Sequence, residues 1–444
     1  MALTGMQIYK SLPKTNCKDC GLPTCMAFAM QVASKQRALG DCPHVSDEAS
    51  ASLAEASAPP MKLVKIGADG NQFEIGQETV MFRHEEKFHR KTGVAVCIPS
   101  SMSDDDAAAQ AGKIASTSFE RVGATLKIGL TAVEVDGAAD PGARVSMIAE
   151  KAGTPIIIVG KDAGKVKAAV DAVKTQNPLI YKADADNIDD FAALAAEAKL
   201  PLAVGGKDLE ELEQHSQKAL DKGVVDVVLA FNTEKMGETV RQMTTVRRAA
   251  LKQRFKPFGF PSMVEVSSDS PEMETIYAAS AAAKYAGIVI ISGMEPWELL
   301  PIMVTVQDVY TDPQVPNTVE AKLYQIGSVN ENSPVLFTTN FSLTYFSVAG
   351  EVERSKVPTY ISVVDTEGLG VLNAYAGDKI SAEKVVKAID AQGVLDKVKH
   401  RKLIIPGLLP IFRAEIEDTS EWKEVIIGPE NAREIPAFLI NNWK

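Results

Sequence analysis

The chain has 444 residues, of which 45% are hydrophobic and 24% charged, so it is long enough for two or three globular domains with full-sized cores. Its formal net charge is −11 and no run of Lys or Arg offsets that charge locally, which excludes nucleic acid as a partner. No stretch approaches the roughly 20 apolar residues of a membrane-spanning helix, and the first residues lack the apolar core of a signal peptide. We therefore expect a cytoplasmic protein with no membrane segment.

Four of the five cysteines lie near the start of the chain, with the spacing Cys17-x2-Cys20-x4-Cys25-x16-Cys42. Clustered thiols in a long chain without a secretory signal indicate metal rather than a disulfide scaffold. Three thiolates on a tight loop, closed by a distant fourth, suit an iron–sulfur cluster. The alternative is a structural zinc site with four cysteine ligands, but such sites usually pair two C-x2-C knuckles. Cys97, inside the apolar run VAVCI, is predicted to be a core residue.

The segments around these cysteines predict a small unit followed by a connection. The spacing of apolar residues predicts a helix over Thr24–Leu39, ended by Gly40. An Ala/Ser/Pro stretch at 49–61 is typical of a linker, and KLVKIG and QFEIG flank a hairpin turn, ADGN. We assign residues 1–57 to a cluster domain and 58–92 to a linker and hairpin.

A regular alternation of short apolar runs and Ala/Lys/Glu-rich stretches begins near residue 93. The runs are almost continuously apolar, as expected of strands buried on both faces. Eight such units predict a (β/α)8 barrel, a TIM barrel, over residues 93–311, with a doubly wound sheet as the alternative. The predicted strands are Val94–Ile98, Thr125–Leu130, Pro155–Val159, Leu179–Lys182, Leu202–Gly205, Asp226–Ala230, Met263–Val266 and Ile288–Ser292.

Residues 312–444 predict a third domain after a proline-rich crossing. Its strands are predicted at Val335–Thr338, Tyr360–Val364, Lys402–Ile405 and Glu424–Ile427. Helices are predicted between and after them, at Tyr345–Arg354, Ala382–Asp390, Phe412–Glu417 and Ala432–Trp443. This alternation is typical of a small Rossmann- or flavodoxin-like domain, so the whole chain is predicted to be α/β.

The motif NCKDCGLPTCMAFAMQVA…DCP, the eight-unit barrel and a tail carrying VDTEGLGVLNAYAGDK together resemble one family over essentially the whole chain. That family is the large (gamma) subunit of the corrinoid iron–sulfur protein of the reductive acetyl-CoA (Wood–Ljungdahl) pathway. The resemblance implies a [4Fe-4S] cluster on Cys17, Cys20, Cys25 and Cys42, and a cobamide in the C-terminal domain.

The resemblance also implies a function and partners. The cobamide cobalt accepts a methyl group from methyltetrahydrofolate through a separate methyltransferase and delivers it to the acetyl-CoA synthase of CO dehydrogenase/acetyl-CoA synthase. The cluster returns oxidised Co(II) to Co(I). A smaller barrel subunit completes a heterodimer. No catalytic side chain is implied, because the chemistry takes place at the cobalt.

The tail departs from many cobalamin-binding domains in having no D-x-H-x-x-G sequence, and its single histidine, His400, lies in the basic string KVKHRK. We therefore expect a base-off cobamide with no protein ligand on cobalt. Open α/β sheets bind ligands at the carboxyl ends of their strands, and Gly368 and Gly370 follow such a strand in the loop Asp365–Asn373. The residues expected to hold the cobamide are Asn340, Ser342, Thr344, Phe346, Thr366, Gly368, Leu369, Gly370, Val371, Leu372, Asn373, Gly407 and Arg433.

Two other functions remain open from the residues alone. Most barrels of this type are enzymes, so the chain is alternatively a barrel enzyme with its own substrate, supplied with electrons by the cluster. Glu134 and Asp136 are among the polar residues that would then act, although they form no recognisable triad. The third hypothesis is a zinc-stabilised interaction protein with no redox function.

Overall fold

A computed structural model describes residues 4–34, 36–46, 59–68, 70–232 and 235–443. The N-terminal part contains two helices, Gly5–Ser11 and Cys25–Ala33, whose apolar sides share a small core. The predicted helix up to Leu39 is wrong, because the helix ends at Ala33 and a 3-10 turn follows at Leu39–Asp41. Ser34, Gln36 and Arg37 beyond it are exposed and polar, so continuing the helix through them would bury no apolar surface.

The predicted hairpin is confirmed: strands β1 (Leu63–Ile66) and β2 (Phe73–Gly76) pair in antiparallel register. Apolar residues of both strands belong to the core that fills the interior of the following barrel. The Phe73 ring lies against Gly93 and Gly129, at the points where two barrel strands begin. The hairpin therefore closes the amino-terminal mouth of the barrel.

The predicted barrel is confirmed as a closed ring of eight strands, and neighbouring strands run parallel. The ring is formed by β3 (Gly93–Ile98), then, after a separate hairpin of β4 (Ser118–Arg121) and β5 (Ala124–Lys127), by β6 (Leu130–Glu134), β7 (Ile156–Val159), β8 (Leu179–Ala183), β9 (Leu202–Gly205), β10 (Val227–Asn232), β11 (Ser262–Glu265) and β12 (Ala286–Ile291). The surrounding helices are Asp104–Ser116, Pro141–Ala152, Ala163–Val173, Ile188–Ala198, Leu209–Asp221, Met236–Arg248, Pro271–Ala283 and Pro296–Val309.

One predicted barrel strand, Thr125–Leu130, is wrong. Its first part belongs to β5, which pairs only with β4 in a two-stranded hairpin, and the barrel strand β6 starts at Leu130. The burial of β5 alternates along the strand, whereas β6 is buried almost throughout. Val122 and Gly123 both have positive φ, as a tight two-residue hairpin turn requires, and this turn joins β4 to β5, so the hairpin is complete before β6 begins.

The C-terminal part contains a five-stranded sheet of β13 (Leu323–Ile326), β14 (Val335–Thr339), β15 (Thr359–Val364), β16 (Lys402–Ile405) and β17 (Glu424–Ile427). The four predicted strands are confirmed; the sequence did not indicate β13, a half-buried edge strand antiparallel to β15. The helices are Ser342–Ser355, Val371–Ala376, Ala382–Ala391, Phe412–Thr419 and Ile435–Asn442.

The strand order of this sheet is β13-β15-β14-β16-β17. The chain therefore moves to one side of β14 for β15 and to the other side for β16, which makes β14/β16 the topological switch point. Open α/β sheets bind ligands in the crevice outside the strand carboxyl ends at that point. The predicted loop Asp365–Asn373 is wrong in its last three residues, because Val371 begins a short helix. The domain boundaries remain predictions.

No helix within the described ranges has the length and apolar character needed to cross a membrane.

Candidate functional site

The four N-terminal cysteines line a single pocket, which we call the cysteine pocket. Cys17 and Cys20 belong to the loop before the second helix, Cys25 is the first residue of that helix, and Cys42 follows the 3-10 turn. Cys25 and Cys42 are each 7% exposed, whereas Cys17 lies at the surface. The pocket thus has a dry inner side and an open outer side.

Local backbone geometry explains why the loop presents its thiols together. Asn16, Lys18 and Gly21 have φ values of 50°, 69° and 78°, so the chain turns repeatedly within a few residues. The Cys25 backbone N–H donates to Asn16 Oδ1 at 2.8 Å, which ties the loop to the start of the helix. Asn and Gly are the residues that adopt this left-handed conformation most readily.

A second tie joins the loop to the chain beyond Cys42. Asp19 Oδ2 and His44 Nε2 lie 2.5 Å apart. Hydrogen bonds from His44 and then from Cys17 hold the pKa of the Asp19 carboxyl below its ordinary value. The pair therefore holds the loop that carries Cys17 and Cys20 close to the segment that follows Cys42.

The spacing of the thiols bears on the choice between zinc and an iron–sulfur cluster. Tetrahedral zinc with Zn–S bonds of about 2.3 Å would bring the sulfur atoms to about 3.8 Å from one another. Within the described ranges, the one set of three metal-donor groups with all ligand atoms inside 4.8 Å is Cys17, Asp19 and His44. No three of the four thiols approach that closely. The donor set therefore fits a larger, polynuclear cluster better than a single zinc ion.

The second candidate site lies at the switch point of the C-terminal sheet. A cavity of about 270 Å³ opens there between β14, β16 and the helices Ser342–Ser355 and Ile435–Asn442, and we call it the tail cavity. Its lining is mainly apolar, with Thr344, Ser347 and Glu430 as its more exposed polar members. Thr344 and Val371 are the cobamide residues predicted from sequence that line it.

Asn340 does not face the tail cavity with a free amide, because its side chain organises the loop after β15. Its Oδ1 accepts the backbone N–H groups of Thr366 and Gly368, both at 3.0 Å, and its Nδ2 donates to Asp365 Oδ1 at 2.8 Å. The Thr366 hydroxyl donates to Leu369 O at 2.8 Å. Asn340 and Thr366 are buried and hold the loop in shape.

The two loop glycines have different surroundings. A Cβ on Gly368, whose φ is 78°, would lie 2.6 Å from Pro316 Cβ, so this glycine allows the loop to pack on the preceding segment. A Cβ on Gly370 would have Thr344 Oγ1 as its nearest neighbour at 3.6 Å. That is an ordinary contact distance, so the fold itself would accept a small side chain at Gly370.

The remaining predicted residues lie outside the lining of the tail cavity. Phe346 contacts the β4–β5 hairpin: a Cβ on Gly123 would lie 2.4 Å from its ring. Ser342 is buried and its N–H donates to Asn317 O. Gly407 packs on the segment after β17, since a Cβ there would lie 2.5 Å from Gly428 O. Leu369 is half-buried in the sheet core, whereas Asn373 and Arg433 are exposed.

Sequence reasoning missed most of an exposed apolar rim around the tail cavity. Leu343, which lines the cavity, and Leu372 are both more than half exposed. Ile411 is 65% exposed, and Tyr375 packs edge-on against the neighbouring Phe412 with ring centroids 5.7 Å apart. We call Leu343, Leu372, Tyr375 and Ile411 the apolar rim. Apolar side chains gathered around a cavity mark a binding surface. For Leu343, Leu372 and Ile411 the sequence signal is an apolar residue next to the start of a helix.

His400 lies just before β16, at the amino ends of the strands, whereas the tail cavity lies at their carboxyl ends. Its Nε2 is 2.8 Å from Ser333 O, just before β14, and its ring packs against Trp443. Burial lowers its pKa below the ordinary value. Among the described lining residues of the tail cavity there is no imidazole.

The polar groups at the carboxyl end of the barrel are occupied in its own loops. Glu134 Oε2 accepts the N–H and the hydroxyl of Ser100 at 2.8 and 3.0 Å. Asp136 accepts the backbone N–H of Lys161 at 2.9 Å. Cys97 packs against the interior core, and burial raises the pKa of its thiol to about 12. These contacts favour a structural role for the barrel.

Comparisons with known proteins cover both sites. A family model described as "CO dehydrogenase/acetyl-CoA synthase delta subunit" matches residues 63–439, and one described as "Putative Fe-S cluster" matches residues 12–44. The chain is 41% identical over 445 residues to the corrinoid/iron-sulfur protein large subunit of Moorella thermoacetica, covering 100% of this chain and 99% of that protein. It is 36% identical to the acetyl-CoA decarbonylase/synthase complex subunit gamma of Methanopyrus kandleri, covering 98% and 97%. The gamma subunit of Methanothermobacter thermautotrophicus is 34% identical, with 99% of each chain covered.

Proposed function

Because the chain belongs to the family of the corrinoid/iron–sulfur protein large subunit, we propose that it is a methyl-group carrier of the acetyl-CoA pathway and the corrinoid component of a methyltransferase system. The observation that carries the proposal is the presence of two sites in one chain. A four-thiol pocket lies at the N-terminus, and an apolar cavity with no lining imidazole lies at the switch point of the C-terminal sheet.

The cysteine pocket holds a [4Fe-4S] cluster in this proposal, with Cys17, Cys20, Cys25 and Cys42 as its ligands. When bound, the cluster supplies single electrons that return accidentally oxidised cobalt to its methyl-accepting state. The buried thiols of Cys25 and Cys42 keep water from the inner side of the pocket. The open outer side allows the approach of a redox partner or of the C-terminal domain.

The C-terminal crevice holds a cobamide, with Gly370 and Thr344 beside it and the nucleotide tail in the tail cavity. When bound, the cobamide cobalt accepts a methyl group from methyltetrahydrofolate through a separate methyltransferase and yields it to acetyl-CoA synthase. The apolar rim gives a flat macrocycle a surface to cover, since Leu343, Leu372 and Ile411 are exposed without it. His400 lies at the amino end of β16, and the described lining of the tail cavity contains no imidazole, which supports a base-off cofactor.

Partners follow from the same proposal. The relatives are described as a large subunit and as complex subunits, so we propose that the chain pairs with a small corrinoid-protein subunit. The methyltransferase and CO dehydrogenase/acetyl-CoA synthase are its further partners, and the cytoplasm is its compartment. The barrel contributes a rigid scaffold, because Glu134 and Asp136 are used in its own loops.

Metal content tests the proposal directly. The full chain, purified without oxygen, should contain about four iron atoms and one cobalt atom. Cys20→Ser should lose most of the iron, because the cluster would have three thiolates left. Cys97→Ser is the matched control, since its thiol lies in the barrel interior, and it should keep the iron. Zinc without iron would contradict the [4Fe-4S] cluster, and iron without cobalt would contradict the cobamide.

A further inference from the structure

We infer that the Asp19 carboxylate is a replacement ligand for the cluster iron that Cys17 binds, so that the cluster keeps this iron when the Cys17 thiolate is lost. The inference rests on the proposed function and adds a metal ligand that lies outside the set of cysteines. It applies to the outer corner of the cysteine pocket, where the Cys17 thiol is open to solvent.

The thiols of the cysteine pocket are unequally protected. Cys25 and Cys42 are buried and belong to the small core of the N-terminal helices. Cys20 is half-buried against the same core, whereas Cys17 lies at the surface. Cysteines with thiolate character are oxidised according to their exposure. The iron bound by Cys17 is therefore the one whose ligand is most easily lost.

Two further donor groups lie beside Cys17. The ligand atoms of Cys17, Asp19 and His44 all lie within 4.8 Å of one another, and the Cys17 thiol donates a hydrogen bond to the Asp19 carboxylate. Bonds of about 2.3 Å from a metal to sulfur and about 2.1 Å to oxygen, as for zinc, join atoms up to about 4.4 Å apart. The Asp19 carboxylate therefore reaches the iron of Cys17 with a shift of about 0.4 Å at most.

The contacts favour Asp19 over His44 as the replacement. Asp19 lies on the same tight loop as Cys17 and Cys20, whereas His44 follows Cys42. Asp19 Oδ2 is 2.5 Å from His44 Nε2, so the imidazole holds the carboxylate in place. Because a carboxylate has two oxygen atoms, Asp19 can keep His44 on one of them while the other binds iron. His44 is thus a positioning residue for Asp19.

Asp41 shows that a carboxylate beside a cluster cysteine is not sufficient. It directly precedes Cys42 and is exposed, but its Oδ2 accepts the Ala38 backbone N–H at 3.2 Å and pairs with Arg37 at 3.8 Å. Among the residues that the structure describes, Asp41 belongs to no group of three close metal donors. Asp41 therefore serves as the matched control for Asp19.

Iron content and electron paramagnetic resonance test the inference on the full chain, purified without oxygen. Cys17→Ala should keep about four iron atoms per chain. Cys17→Ala combined with Asp19→Asn, which keeps the size of the side chain but removes its charge, should keep about three and show the signal of an oxidised three-iron cluster. Cys17→Ala combined with Asp41→Asn should keep about four. Asp19→Asn alone should also keep about four, because every thiolate remains.

Several results would overturn the inference. Full iron content in both Cys17→Ala and its combination with Asp19→Asn would mean that solvent replaces the thiolate. Loss of iron from Cys17→Ala itself would mean that no group replaces it. Loss of iron from Asp19→Asn alone, or from the combination with Asp41→Asn, would assign the effect to the shape of the loop. Absence of iron from the parent chain would instead contradict the [4Fe-4S] cluster of the proposed function.

Discussion

Removing the Asn340 amide should open the loop after β15 without unfolding the domain. Asn340→Ala deprives two backbone N–H groups, of Thr366 and Gly368, of an acceptor that both reach at 3.0 Å. The Thr366 hydroxyl is left out of the count, because it keeps Leu369 O at 2.8 Å. In the alanine variant, the loop should open because its free energy is lower when these N–H groups bond to water.

The magnitude follows from the two lost bonds. Each buried N–H left without a partner costs about 1–3 kcal/mol, so the pair costs about 3 kcal/mol if each loses an intermediate amount. At 1.4 kcal/mol per factor of ten, the open form of the loop should become roughly a hundredfold more populated. Opening the loop to water limits the loss, so the figure applies locally and not to global unfolding.

Hydrogen exchange followed by mass spectrometry measures this local effect in a chain of several domains. Peptides that contain residues 365–370 should exchange roughly a hundredfold faster in Asn340→Ala, whereas barrel peptides should keep their rates. Asn442→Ala is the matched control, because its one side-chain bond, to Phe438 O, is exposed. Exchange of the loop within threefold of the parent would refute the reasoning, and faster exchange throughout the sheet would show that Asn340 stabilises the whole domain.

Three further predictions, which use four single substitutions and one double variant, test other parts of the structure. Gly368→Ala should destabilise the C-terminal domain by at least ~1 kcal/mol, because its φ is 78° and its Cβ would clash. Gly370→Ala should keep the melting temperature of the parent but retain less cobamide. An equal fall in melting temperature for Gly368→Ala and Gly370→Ala would contradict the separate roles of the two glycines. The pKa of Glu417 is lowered by a backbone N–H of β17, so its contribution to stability is full above its ordinary pKa of 4.5 and disappears as the pH falls through the lower folded value. Glu417→Gln should therefore lower the melting temperature at neutral pH but not in acid, whereas a difference constant with pH would contradict this. Gly123→Ala should push against Phe346 and speed proteolysis of the segment between barrel and C-terminal sheet. Phe346→Ala in the same chain should bring the rate back only in part, because alanine stays strained at a φ of 71°, and no recovery at all would contradict the contact.

The sequence alone indicated the features that depend on neighbours along the chain. The spacing of the four cysteines predicted one pocket, because thiols on a short loop and on the next helix are held together by local geometry. The near-continuous apolar runs predicted the closed barrel, because a strand covered on both faces has little room for polar residues. The same pattern failed at Thr125–Leu130, where an exposed hairpin and a buried strand follow each other without a break in apolar character.

The tertiary structure decided what each residue of the C-terminal site contacts. That Asn340, Gly368 and Phe346 lie beside the cofactor stays a prediction. The structure adds that Asn340 braces a loop that follows another strand, Gly368 makes room for Pro316 and Phe346 contacts the β4–β5 hairpin. Their partners are distant in sequence, so no local pattern identifies them.

The tail cavity also could not be predicted from local sequence patterns. Leu336, Ile404 and Leu439 are ordinary core residues in the sequence, and they form one inner wall only because β14 and β16 are neighbours and the last helix packs across them. Periodicity determines which face of an element is buried, since burial of apolar surface is a property of that element. Which buried residues meet, and whether a cavity remains between them, depends on contacts between distant elements and is decided only when the chain has packed.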